Sequence, residues 1–148
     1  MAIKVALLDQ RLVAGLGNIY ASESLHRAGI HPTRPARRVS HARYAALVTV
    51  VREVLELAIG FGGTTLRDFT RDDGKPGYFR NELLVYDRAG QPCLRCGTEL
   101  RRSVIDARGT TWCPGCQRRW AITLSAPWIV ASGIETGSPH HNFGRRAT

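Results

Sequence analysis

The sequence predicts a mainly α-helical domain followed by a small β-hairpin zinc finger of zinc-ribbon type. Three observations carry this reading. Apolar residues recur at three- and four-residue spacing through residues 1–60, punctuated by glycine and proline. Two C-x-x-C pairs follow in residues 93–116. Positive charge gathers on those same two segments and leaves the stretch between them neutral.

The chain has 148 residues, 43% of them hydrophobic, enough for one or two small domains with a core and against wholesale disorder. Lys and Arg number 21 against 12 Asp and Glu, a formal net charge of +9. So basic a small chain implies an anionic partner, nucleic acid first. Residues 1–60 carry eight basic and four acidic groups, 61–92 five of each, 93–120 six and two, and 121–148 two and one. No run approaches the ~18 apolar residues of a membrane span. No charged segment leads into an apolar stretch and a small-residue cleavage site. The expectation is a cytoplasmic protein, neither secreted nor membrane-bound.

The first helix is expected over 6–14, where good helix formers mix with apolar residues. Gly15-Leu16-Gly17-Asn18 interrupts it, and a second helix runs from Ile19 to Ala28. Gly29 fits the position just past its C-terminus, and Pro32 and Pro35 prevent continuation. Ser40 is placed to cap a third helix, with Leu47, Val50, Val51, Val54, Leu55 and Ala58 on its buried face. Gly60, Gly62 and Gly63 end it. Asp73-Gly74-Lys75-Pro76-Gly77 is a dense turn signal, and Leu83 to Tyr86 reads as a short strand. The domains are therefore 1–88, with a loop around 70–80, then 89–120. Residues 121–148, with Trp128-Ile129-Val130 and His140-His141, form a tail with no assigned role.

Cys93-x-x-Cys96 and Cys113-x-x-Cys116 are separated by sixteen residues, a spacing typical of zinc sites. A two-residue gap lets both thiolates of a knuckle reach one ion, and two knuckles complete a tetrahedron. Four thiolates leave no open position for water, so one structural Zn2+ is expected. Two disulfides or a redox pair are the alternative, disfavoured without an export signal. Gly97 and Gly115 sit where the knuckles turn. Leu100 to Ile105 and Thr110 to Trp112 are expected to pair, with Arg108 at the tip of an Asp106-Ala107-Arg108-Gly109 turn. Arg101, Arg102, Arg118 and Arg119 lie on the same module, which favours phosphate contact for Arg108.

The Gly15-x-Gly17-Asn18 turn allows close backbone approach, and a helix starting at Asn18 or Ile19 presents its free N–H groups. That is a phosphate site or a purely steric helix corner. The surrounding residues say more. Lys4-x-x-Leu7-Leu8-Asp9-Gln10, Gly15-x-Gly17-Asn18-Ile19-Tyr20-Ala21-Ser22-Glu23 and Ala28-Gly29-Ile30-His31-Pro32 closely resemble the formamidopyrimidine-DNA glycosylase family. Gly62-Gly63-Thr64-Thr65-Leu66, Asp73 to Phe79, Val85-Tyr86 and the cysteine module with Arg108-Gly109-Thr110 continue the resemblance to residue 120. Endonuclease VIII-type glycosylases are the neighbouring branch, and Gly74-Lys75-Pro76-Gly77 favours the formamidopyrimidine one.

The resemblance implies the C-terminal half of such a protein, a helix–two-turn–helix domain plus zinc finger, gripping damaged or abasic double-stranded DNA on the bacterial nucleoid. It implies DNA contacts at Lys4, Gly17, Asn18, Tyr20 and Arg108, and a lesion-covering loop that includes Lys75, Gly77 and Tyr78. The family's chemistry uses an N-terminal proline and an adjacent glutamate on a β-sandwich domain. Here the chain begins Met1-Ala2-Ile3-Lys4, and that catalytic domain is expected to be absent. Base excision by this chain alone is therefore not expected, and a separate N-terminal catalytic domain is a further partner. An abasic-site lyase, using the Ala2 or Lys4 amine, is the alternative. A zinc-ribbon protein–protein adaptor is the third reading, and it leaves Gly15 to Glu23 and the net charge unexplained.

Overall fold

The computed structural model describes residues 1–62 and 79–119. Three helices, α1 (Ile3–Leu8), α2 (Asn18–Arg27) and α3 (His41–Gly60), precede an antiparallel hairpin of β1 (Arg101–Ile105) and β2 (Arg108–Trp112). Short 3-10 turns occupy Ala36–Arg38 and Phe79–Glu82. The loop residues Lys75, Gly77 and Tyr78 and the 121–148 tail lie outside the described residues.

α1 starts at Ile3 rather than Ala6 and stops at Leu8 rather than Ala14. Its early start has a tertiary cause. Ile3 N–H donates to the Arg34 carbonyl at 2.7 Å and Lys4 N–H to that of Pro32 at 3.2 Å, so a distant loop satisfies donors the helix itself leaves open. Its early stop is local. The Asp9 carboxylate accepts from the Arg11 N–H at 3.0 Å and from the Arg11 guanidinium at 2.8 Å, a turn that competes with further helix. Gln10 then staples the 9–16 segment. Its Oε1 accepts from Gly15 N–H at 2.8 Å, and its Nε2 donates to the carbonyls of Leu8 and Leu16. Gly15 has a φ of 82°, which its lack of a side chain permits.

α2 is the hub. Ile19 and the whole run from Ala21 to His26 are buried. The helix ends as expected: Gly29 adopts a φ of 65°, donating to the His26 carbonyl at 3.0 Å, while Ile30 N–H reaches that of Leu25 at 2.9 Å. α3 is capped by Ser40, whose Oγ accepts from Arg43 N–H at 3.3 Å. It buries Leu47, Val50, Val54 and Ala58 against Ile3, Leu7, Leu16, Ile19 and Leu25.

The strand expected at Leu83 to Tyr86 does not form. The N–H groups of Leu84, Val85 and Tyr86 turn instead to the fully buried Glu23 carboxylate, at 2.8, 2.9 and 2.8 Å. A carboxylate from α2 thus replaces the partner strand that an apolar run would otherwise need. Val85 packs into a second, smaller core with Cys93, Leu100 and Cys113. In the hairpin, Asp106 and Ala107 have φ of 50° and 60°, so the turn has two residues and both are left-handed. Arg108 accordingly opens β2 opposite Ile105, rather than standing at the tip. No glycine marks this turn, which is why the sequence suggested a longer one.

Candidate zinc centre and nucleic-acid interface

The two knuckles bring all four cysteines together. Cys93 Sγ lies 3.8 Å from Cys116 Sγ, and Cys96 Sγ lies 3.4 Å from Cys113 Sγ. Four thiolates, each ~2.3 Å from one tetrahedral ion, stand ~3.8 Å apart. The Cys93–Cys116 pair matches an edge of such a tetrahedron and the Cys96–Cys113 pair is somewhat shorter, so the donor set is compatible with zinc. Backbone N–H groups of Arg95 and Cys116 point at Cys93 Sγ and Cys113 Sγ, each at 3.4 Å. Gly97 adopts a φ of 74°. At Gly115 a Cβ would meet Thr98 Oγ1 at 2.6 Å and Cys96 Sγ at 2.8 Å, so only glycine lets the second knuckle close on the first. Burial pushes the metal-free Cys113 thiol up to about 11 and raises Cys116 as well, so metal loading displaces protons from these sulfurs.

One neighbour of the centre was not anticipated. His26, in the last turn of α2, is 1% exposed and places Nε2 3.5 Å from Cys93 Sγ. The ligand atoms of His26, Cys93, Cys113 and Cys116 all lie within 4.8 Å of one another. Burial, with Arg95, Arg27 and Arg88 adding to it, pulls the imidazole down to about 4, so it is neutral at pH 7. Nothing in the linear sequence links residue 26 to residue 93; only the packing of α2 does.

The other end of α2 meets the hairpin. Asn18 Nδ2 donates to the Gly109 carbonyl at 3.1 Å, and Lys4 Nζ bonds Thr110 Oγ1 and approaches the same carbonyl at 3.5 Å. Gly17 is the exposed, extended N-cap of α2; no side chain caps the helix, and no acidic residue stands in its first turn. Arg108, exposed, adjoins Gly109. Tyr20 is half-buried against the helical core. Beside them lies a hollow of about 300 Å³ whose lining includes Asn18, Tyr86, Asp87, Arg102 and Gly109. The Arg102 side chain lies across the hairpin so closely that a Cβ on Gly109 would sit 2.8 Å from its Nη2. Tyr86 and Arg102 were not singled out as site residues by sequence; their placement depends on the Glu23 contacts and on the hairpin register.

Lys4, expected to contact phosphate or to offer a reactive amine, is 0% exposed and joins α1 to the hairpin. Burial, reinforced by Arg108, draws its ammonium down to about 8. Ala2, the other amine considered, is half-buried and bridges Pro35 through its backbone.

A helical body and a zinc-finger module locked along one helix define the class of protein. Residues 1–70 match the formamidopyrimidine-DNA glycosylase H2TH domain, and residues 90–119 match the zinc finger found in FPG and IleRS. The formamidopyrimidine-DNA glycosylase of Syntrophotalea carbinolica is 58% identical over 118 residues, covering 80% of this chain and 44% of that protein. The same enzyme of Alkalilimnicola ehrlichii is 61% identical, covering 79% and 42%. The crystal structure of MutM (Fpg) from Thermus thermophilus superposes with a TM-score of 0.75 at 46% identity, covering 81% of this chain and 46% of that one. A complex between the Lactococcus lactis Fpg and DNA containing an abasic site gives 0.72 at 40% identity, covering 79% and 42%. The chain belongs to the formamidopyrimidine-DNA glycosylase family and spans less than half the length of these curated relatives. Its finger is a zinc-binding module. Among the described residues no helix is long and apolar enough to cross a membrane.

Proposed function

We propose that this chain is the DNA-gripping portion of a formamidopyrimidine-DNA glycosylase-like repair protein. It binds damaged or abasic duplex DNA and does not excise bases by itself. One observation carries the reading: Lys4 Nζ and Asn18 Nδ2 converge on the Gly109 carbonyl. That junction fixes the uncapped start of α2 and the exposed Arg108 to one another. An open helix N-terminus and a guanidinium together suit a backbone phosphate. Gly17, Asn18 and Arg108 supply this grip, with Tyr20 supporting it from behind and Tyr86 and Arg102 lining the hollow alongside. Lys75, Gly77 and Tyr78 belong to the loop proposed to cover an extruded base. Zinc, held by Cys93, Cys96, Cys113 and Cys116, has the structural job of setting the hairpin against α2.

The test is binding of the zinc-loaded chain to intact duplex and to duplex with one abasic site, titrated between about 50 and 200 mM salt. Preference for the abasic duplex and a steep loss of affinity with salt are expected. Equal affinity for both duplexes together with a flat salt response overturns the proposal. A lyase reading requires an amine that reaches an abasic aldehyde. The burial of Lys4 argues against it, so borohydride is expected to trap no adduct on the chain alone. Supplying a separate N-terminal catalytic domain in the same assay tests whether the grip serves excision in trans.

A further inference from the structure

The zinc centre has five donors for four positions. Cys93, Cys113 and His26 are buried and Cys116 is half-buried, whereas Cys96 is exposed. The odd donor out by burial is therefore a cysteine. Its loss would leave His26, Cys93, Cys113 and Cys116 with all ligand atoms within 4.8 Å. In a tetrahedral site with Zn–N near ~2.0 Å and Zn–S near ~2.3 Å, nitrogen and sulfur stand ~3.6 Å apart. His26 Nε2 is already 3.5 Å from Cys93 Sγ.

The rest of the imidazole supports the same assignment. Among the described residues its buried Nδ1 has no hydrogen-bond partner, so no bond to the helical body holds this polar ring there. A buried histidine kept only for packing normally satisfies both nitrogens. Among the described residues the ring's polar contact is to a cysteine sulfur of the finger.

We propose that His26 is a reserve ligand of the zinc centre. It contacts Cys93 Sγ while the four cysteines hold the ion, and takes the fourth position when Cys96 does not. This rests on the four-cysteine reading above. The finger would then tolerate loss of its exposed ligand, by substitution or by covalent modification of the accessible thiol, without losing its metal.

The experiment compares Co2+-loaded wild type, Cys96→Ser, His26→Phe and the double variant, in the full chain. Phenylalanine keeps a planar ring at this position without offering a ligand atom. Metal affinity is read by competition with a chelator, and the number of thiolate ligands by the strength of the thiolate-to-cobalt charge-transfer band. Wild type and His26→Phe are expected to show four thiolates. Cys96→Ser is expected to show three thiolates and a nitrogen and to keep most of its affinity. The double variant is expected to bind about 100-fold more weakly than Cys96→Ser. Equal affinities for Cys96→Ser and the double variant overturn the reserve role while leaving the four-cysteine reading intact. Three thiolates in wild type overturn both, because His26 is then a resident ligand.

Discussion

The two ends of α2 hold the finger in different ways. At its N-terminal end the contacts are few and polar: Asn18, with the buried Lys4 of α1 beside it, reaches the hairpin at Gly109 and Thr110, next to an open hollow. At its C-terminal end they are more numerous and closely packed. There His26 meets Cys93, and Gln117 bridges Cys113 N–H at 2.8 Å and the Ile30 carbonyl at 3.0 Å. Trp112 stands edge-on to His31 at 4.3 Å. Ten residues at ~1.5 Å rise separate the two ends by ~15 Å. The closed end fixes the finger; the open end leaves the start of α2 and the Arg108 side chain exposed, the arrangement proposed to grip a phosphate. A protein that must hold its shape while gripping an anion needs both.

The largest effect is expected at the closed end. Cys113→Ser leaves three thiolates and puts a shorter, harder hydroxyl where a fully buried sulfur stood. His26 cannot compensate, since the buried group it joins includes Cys113. Elemental analysis is expected to find far less than one zinc per chain, with loss of hairpin structure; full zinc occupancy would refute the role given to this sulfur.

Glu23 tests the middle of the strut. Glu23→Gln puts an amide N–H2 against backbone donors that now share a carboxylate. A loss of about 3 kcal/mol in unfolding free energy is expected, from charge-assisted bonds weakened in a buried site. Urea unfolding indistinguishable from wild type would show that the 84–86 segment is held by Val85 packing alone.

What the sequence disclosed follows the same division. Spacing of residue types was enough for α2, α3 and the knuckles. Gly29 and Ser40 perform the capping their chemistry predicts, and Gly115 closes the cysteine cluster because nothing larger fits. What stayed hidden depends on partners far along the chain. α1 begins where the 32–34 loop receives its N–H groups, the expected strand at 83–86 yields to Glu23, and Lys4 turns inward to Thr110. A two-residue turn of Asp106 and Ala107 lacks the glycine by which such turns are read. The family resemblance named Lys4 as a contact, but its charge alone could not tell a surface cation from a buried strut.

Lys4 offers a pH test of the open end. Its ammonium titrates near 8 in the folded chain against 10.5 for the unperturbed group. Between those values the unfolded chain binds more protons, so stability rises with pH across that window and the cost of burying the charge is fully present below it. Wild type is expected to gain on the order of 2 kcal/mol between pH 8 and 10.5, and Lys4→Met to lack that gain. Chemical unfolding of zinc-loaded protein at the two pH values reads this directly. The same rise in both proteins would assign the effect to other groups.

Arg108 sharpens the contrast most narrowly, because its side chain is exposed and belongs to the open end alone. Arg108→Ala leaves the zinc cluster, Gln117 and Glu23 untouched, so zinc content should match wild type and the fold should be no less stable. Removing its charge also relieves Lys4, whose ammonium should titrate higher. If the guanidinium contacts a phosphate, affinity for abasic duplex falls about tenfold and the slope of log affinity against log salt falls by about one. The loss should be uniform across base sequence, since a phosphate carries no sequence information. An unchanged slope with an intact fold would move the grip away from the hairpin, and the hollow with Tyr86 and Arg102 would have to hold the backbone without it.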